Sequence, residues 1–318
     1  NQTTKEKNMT AFFTVADKLI TLFIYIIIGY AIRKANAVDS KFESGLIKFL
    51  MSVSLPALVI NTFQTSYTPE LLKRGALIYL VSLIIYIFSI IIGVLSGWLL
   101  KIDKKSLGVW IFAVVFPNHC FMGWPVMSAV FGEDALFYAA FANLGFSTFA
   151  YTYGIYIISK YGENKDNKMS LKSLILTPIN VSILIGIIMF VTGLSLPSSI
   201  GNAVSGLGSV TTPLAMIYCG MLLNGNKILS VFGDWRVYAV SFIRLIFIPV
   251  LVFIFAKIFI TDQMVLSVLV IGHSMPVAGF CALFAGQYGG DAVLASKFIF
   301  VSTLICIVTI PFLAVFVS

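Results

Sequence analysis

The sequence predicts an all-α polytopic membrane protein: ten transmembrane helices forming a 5+5 inverted repeat, with broken crossover helices at positions four and nine. Three observations lead there. The 318 residues are 59% hydrophobic and 11% charged, with a mean hydropathy of +1.00, whereas a soluble domain carries about 25% charged residues. Apolar stretches of membrane-spanning length recur to the end of the chain. Two of those stretches are interrupted by proline and polar residues at corresponding positions.

A helix crosses the bilayer with about 20 apolar residues, and ten such runs are present, near 11–34, 44–65, 73–99, 106–131, 135–159, 172–192, 202–224, 236–260, 264–288 and 292–317. A secretory leader would give one short apolar stretch followed by a soluble body, which is not the pattern here. The connectors KANAVDSKFE, KIDKKS and KYGENKDNKMS are too short to hold a soluble domain. The expected organisation is an N-terminal tail (1–10), a first half (11–160), a connector (161–171) and a second half (172–318).

The formal charge of +8 lies mostly in the connectors, which fits membrane orientation and excludes nucleic acid as the partner it implies. Assigned to its nearest connector, 14 of the 21 Lys and Arg fall on the side holding the odd-numbered connectors and 6 on the other, with Arg244 left over. Positive residues stay cytoplasmic, so both termini are expected outside a plasma (inner) membrane. Cys120, Cys219, Cys281 and Cys306 all lie in apolar runs with no metal spacing and read as small core residues. No metal and no cofactor is implied.

Pro56 and Pro213 are 157 residues apart, and so are Asp134 of FGEDAL and Asp291 of YGGDAV. Each half then holds five spans, and an odd number makes the second half enter from the opposite side. Inverted repeats of this kind build binding sites at the bilayer midplane. The same offset carries Pro276 of GHSMPVAG onto His119 of FPNHCFMGWP. Proline lacks an amide hydrogen and clashes with the preceding turn. In hydrocarbon, such breaks survive only where protein or a water-filled cavity satisfies the freed groups. Two broken helices meeting there present half-helix N-termini, which favour an anion. Pro249 and Pro311, by contrast, read as plain kinks.

Four stretches, SLPALVINTF (54–63), NHCFMGWPV (118–126), LTPINVSILIGI (176–187) and HSMPVAGFCALFAGQYGGDAVLASKFIFVSTLICIVTIP (273–311), resemble the auxin efflux carrier family of bacteria and plants. The resemblance spans about residues 11–317. It implies carriage of small organic anions such as mono- or dicarboxylates, malate-like or auxin-like, by alternating access. It also implies a scaffold of spans 1, 2, 6 and 7, a moving bundle of the others, and a homodimer formed through the scaffold. The short connector after the fifth span resembles the compact bacterial members. Members often have a small residue where this chain places His119 and Cys120.

The candidate substrate contacts are Pro117, Asn118, His119, Gly123, His273, Ser274, Met275, Pro276 and Arg244. His119 and His273 are the only histidines; they either hydrogen-bond within the bundle or touch substrate and carry a proton. Arg244 lies about two turns inside its span, counted from Arg236. It either marks an interior path or snorkels to the cytoplasmic surface. No Asp or Glu falls at mid-depth, which disfavours strong cation coupling through a buried carboxylate. Sodium binding to carbonyls freed by the breaks, helped by Asn143 or Gln287, stays open. Asp134 and Asp291 read as helix caps. The G-x-S-x-G, Walker A and H-E-x-x-H patterns are absent, so an enzyme is not expected. The alternatives are a sodium- or proton-coupled symporter of the bile-acid transporter type and a transporter-like sensor.

Overall fold

A computed structural model of the chain describes residues 17, 20–163, 176–222 and 231–317. The tail 1–10 and most of the connector 161–171 lie outside the described residues. Among the described residues every regular element is helical, apart from one isolated antiparallel bridge, Pro117 to Val277.

Helix α1 covers 20–34. Helix α2, Ser40–Thr62, starts where the Asp39 carboxylate accepts from the Phe42 amide at 2.8 Å. Helix α3, Pro69–Leu99, is capped by Thr68, and α4, Lys104–Val115, by Asp103. Each cap satisfies an amide that the first helical turn leaves without a partner. Helix α5 opens with a π-helical turn, His119–Gly123, and continues through Trp124–Phe131. Helix α6 runs Asp134–Phe149, passes a π-helical turn at Ala150–Gly154 and ends in Ile155–Tyr161. There follow α7 (Pro178–Thr192), α8 (Ser198–Ser209), α9 (Thr211–Leu222) and α10 (Trp235–Phe259). The chain ends with α11 (Gln263–His273), α12 (Phe280–Tyr288) and α13 (Ala292–Val317).

Four helices, α2, α3, α10 and α13, are long and apolar enough to cross a membrane, and α7 and α11 are shorter apolar helices. The fold is therefore an all-helical polytopic membrane protein. The run read as 106–131 is two helices, α4 and α5, and the run read as 264–288 is α11 and α12. The run read as 202–224 begins earlier, at Ser198, and is divided at Val210. Asp291 caps its helix as expected, accepting from the Leu294 amide at 2.9 Å. Asp134 does not: Glu133 holds the cap position, and Asp134 sits in the first turn, where only the helix dipole favours it.

Three π-helical turns precede prolines by two residues: Leu50–Ser54 before Pro56, His119–Gly123 before Pro125, and Ile243–Phe247 before Pro249. Each closes on a bond from residue i to i−5, namely Leu55 to Leu50, Trp124 to His119 and Ile248 to Ile243. Widening the turn keeps the carbonyls bonded although proline supplies no amide and crowds residue i−4. Pro249 follows closely on the turn that contains Arg244.

Helices α4 and α11 are enclosed, with Val109–Phe116 and Val265–His273 buried. Helix α3 presents Leu80, Ile87, Phe88, Ile91 and Trp98 outward, as a lipid-facing surface does. At α1 and α9, Gly29 lies against the Ile217 carbonyl and Gly220 against the Ile26 carbonyl, so the two backbones touch.

Candidate functional site at the helix crossing

The chain leaves helical geometry at Phe116, where the φ, ψ pair is extended, and again after His273. The two extended stretches pass antiparallel. The Asn118 amide donates to the Pro276 carbonyl at 2.7 Å, and the Ala278 amide donates to the Phe116 carbonyl at 3.1 Å. The Val277 amide is taken by Ser302 Oγ at 3.1 Å. Backbone groups freed by the two breaks therefore satisfy one another, as hydrocarbon surroundings require.

Four helix ends meet here: the C-terminal ends of α4 and α11 and the N-terminal ends of α5 and α12. Neither N-terminal end has a side-chain cap, with Asn118 and Gly279 in the cap positions. Uncapped first-turn amides point their hydrogens at an anion and carry the positive end of the helix dipole.

Among the expected site residues, Pro117, Asn118, His119, Gly123, His273, Ser274, Met275 and Pro276 all gather at the crossing and are buried. Asn118 Nδ2 reaches Cys219 Sγ on α9 at 3.7 Å. Ser274 Oγ donates to the Ile271 carbonyl at 2.9 Å. His119 and His273 are neighbours: a Cβ added at Gly272 would lie 2.9 Å from His119 Nε2. His273 Nδ1 bonds the Leu269 carbonyl at 2.8 Å, so one ring nitrogen has the bland structural role.

Arg244 does not snorkel. It is fully buried, and its guanidinium donates to the carbonyls of Val114, Val115, His273 and Met275 at 2.9, 3.0, 2.6 and 3.3 Å. Its reach is to the backbone of both interrupted helices. Asn143 is beside the crossing, where its Oδ1 accepts from Cys120 Sγ at 2.9 Å. Gln287 is not: it sits in the last turn of α12, seven residues past Phe280, about 10 Å along the axis.

The expected set omitted Tyr86. Its ring lies 5.1 Å from His273 and 5.9 Å from Phe116. Among the described residues Tyr86 OH, both His119 ring nitrogens and His273 Nε2 are buried polar atoms without a protein partner. Each such group costs about 1–3 kcal/mol, so their concentration around one point marks a place able to hold a polar guest or water. A tyrosine in the apolar run of α3 gives no sign of this in one dimension.

Two clefts lie along α2, and the smaller of them reaches the crossing. One, of about 700 Å³, is lined by Tyr25 of α1, Asn61 of α2, Ser128 of α5, and Thr212 and Pro213 of α9. The other, of about 280 Å³, is lined by Glu43 and Ile47 of α2, Phe121 of α5, Tyr218 of α9, and Gly279 and Phe280 of α12. They lie near opposite ends of α2, and both follow the seam between α2 and α9 on one side and the crossing helices on the other.

A lipid-facing helical body whose enclosed helices break at its centre defines the class of polytopic membrane transport proteins. The chain belongs to the auxin efflux carrier family of these proteins, matching it over residues 14–314 as a membrane transport protein. An uncharacterized transporter of Methanocaldococcus jannaschii is 26% identical over 301 residues, covering 92% of this chain and 96% of the relative. An uncharacterized transporter of Methanothermobacter thermautotrophicus is 25% identical over 308 residues, with 94% and 97% covered.

Proposed function

We propose that the chain is a secondary carrier of small organic anions, such as mono- or dicarboxylates, working by alternating access and not an enzyme. The observation that carries this reading is the meeting of two interrupted helices at one buried crossing, where the N-terminal ends of α5 and α12 lack side-chain caps and one cleft reaches Phe121, Gly279 and Phe280. A substrate carboxylate would rest at the N-terminal ends of α5 and α12, with Asn118 as a neutral donor. Sliding of the crossing helices along the α2 and α9 seam would expose that position to one face and then the other.

The ten spans and the inverted repeat belong to the same proposal: α4 with α5, α8 with α9 and α11 with α12 each count as one interrupted span. Ser54 and Thr211, 157 residues apart, share a hydrogen bond of 2.6 Å, as counterparts do beside a pseudo-twofold axis. Gly29 and Gly186 are separated by the same interval, as are Phe63 and Gly220. Gly186 presses on Phe63, while Gly29 and Gly220 share the α1 and α9 seam, so the two close packings are related by one offset. Both termini outside the plasma (inner) membrane, a homodimer formed through α1, α2, α7 and the interrupted span of α8 with α9, and lipid as the surrounding partner complete the reading.

The test is current recording from proteoliposomes on a solid support, presenting mono- and dicarboxylates with and without pH and sodium steps. A saturable current for some of these acids is expected. Asn118→Ala and Pro276→Ala are expected to cut it roughly tenfold or more, and Pro311→Ala, far from the crossing in α13, is expected to cut it less. Silence for every acid in folded protein, by current and by radiotracer exchange, would overturn the reading in favour of a sensor.

A further inference from the structure

We infer that Arg244 is a tethered cation: its guanidinium fills, permanently and within the chain, the place at the crossing where a carrier of this architecture would otherwise need a bound metal cation. The inference rests on the carrier reading above for its meaning, though not for its test.

The acceptors around Arg244 have a single origin. Val114 and Val115 end α4, His273 ends α11, and Met275 lies in the link that follows. The first three carbonyls belong to the last turns of two helices, where no amide further along the helix remains to bond them, and the fourth lies just beyond. Each such end carries about −0.5 of an elementary charge, so two ends brought together amount to about −1, which one cation offsets. Unwound carbonyls at half-helix C-terminal ends are the groups that hold sodium in carriers built this way. Here all four carbonyls accept from Arg244 at 2.6–3.3 Å.

The rest of the environment agrees. None of the ion pairs among the described residues involves Arg244, and no cluster of acidic or metal-ligating side chains exists among those residues. A buried arginine normally needs a carboxylate partner, and this one takes two helix ends instead. The planar fork suits that work, since four of its five N–H groups reach different carbonyls along fixed directions. The π-helical turn at Ile243–Phe247, which precedes Pro249, supplies the register.

Two consequences follow. Arg244 is a positioning residue: it holds the C-terminal ends together so that the N-terminal ends stay presented to the substrate. The crossing is also complete without sodium, so the sodium-symport alternative loses the carbonyls it would require.

The test compares wild type, Arg244→Ala and Arg244→Lys in proteoliposomes and in detergent, with sodium, lithium, guanidinium or choline as the chloride salt at matched ionic strength. The wild-type melting temperature and any substrate current are expected to be the same in sodium and choline. Arg244→Ala is expected to lose most transport and to melt lower, with melting temperature recovered by guanidinium or sodium and not by choline. Arg244→Lys, a point charge on a flexible stem, is expected to fall between and to show a smaller cation response. A saturable sodium response in wild type would overturn the inference. So would a folded Arg244→Ala protein that carries substrate normally, or one that no small cation restores. Should Arg244→Ala fail to fold, wild type and Arg244→Lys decide: equal sodium responses in both would refute it. The melting readout needs no substrate, so absent currents would sink the carrier reading alone.

Discussion

Replacing Gly29 with alanine should separate helices α1 and α9. A Cβ built at Gly29 lies 2.0 Å from the Ile217 carbonyl oxygen, and one at Gly220 lies 2.0 Å from the Ile26 carbonyl oxygen. Ordinary contact starts at 3.4 Å, so the backbones must part by about 1.4 Å at that point. No side chain can swing aside, because the obstacle is backbone. Overpacking of this kind costs about 1–3 kcal/mol, against which alanine returns about 1 kcal/mol of helix propensity. The contact is backbone on backbone, so the upper part of the range applies, and a net loss of about 2 kcal/mol is expected. Because both glycines face one seam, separation caused by the first substitution makes room for the second. Gly29→Ala/Gly220→Ala should therefore cost clearly less than the sum of the singles. Gly45→Ala supplies the control: nothing lies within 4 Å of its Cβ, within α2, so alanine should stabilise slightly. Melting of purified protein in detergent, followed by size-exclusion fluorescence, measures all four. If Gly29→Ala melted with wild type, or if the double variant were fully additive, the close backbone seam would be refuted.

Pro249→Ala should cost more transport than Pro311→Ala, because an amide at 249 lets the π-helical turn revert and rotates Arg244 off its carbonyls; paired currents and melts of the two variants check this. Ser54→Ala should lower stability by about 1–2 kcal/mol by leaving the Thr211 hydroxyl and the Leu207 carbonyl unpaired. The double variant with Thr211→Val should melt no lower than Ser54→Ala alone, and a further drop would contradict the pairing. Hydrogen bonds from the Arg236 side chain, opposed by partial burial, hold the Asp234 carboxyl below the usual carboxylate range. Its contribution should be fully present above the unfolded value near 4 and lost as pH falls through the lower folded value. Because Asp234 also caps α10, Asp234→Ala should cost about 1–2 kcal/mol at neutral pH. Asp234→Asn should keep the cap but lose the acid-pH slope, which melting at stepped pH from neutral to acid reports.

The positions of the breaks were legible because proline acts locally: Pro117 and Pro276 forbid a continuous amide ladder wherever the chain goes. The enclosure of His119 and His273 was legible for a similar reason, since both adjoin those breaks. The partners of Arg244 were not. Its depth can be counted along the sequence, but its four carbonyls come from helices more than a hundred residues before it and about thirty after it. Its direction also depends on a turn that carries one extra residue, which ordinary helical periodicity does not register. Tyr86 was missed because a tyrosine among isoleucines reads as membrane surface until α6 and α11 cover it. Gln287 follows its break by more than two helical turns, a depth that its position in the polar end of an apolar run does not convey. The division of α8 from α9 at Val210 carries no proline to mark it in the sequence, since Gly206 and Gly208 are tolerated within a helix.

Arg244 also sets a condition on how the protein is made. When α10 emerges from the ribosome, the Val114 and Val115 carbonyls already exist, while those of His273 and Met275 have not been synthesised. The nascent chain must therefore hold a charged side chain in or near the bilayer with half of its final partners. Only the arrival of α11 and the link after it completes the set. A chain truncated after α10, or one whose ninth span fails to insert, would keep a guanidinium with only the Val114 and Val115 carbonyls to bond. The bonding of Arg244 is thus completed only by chain made after it.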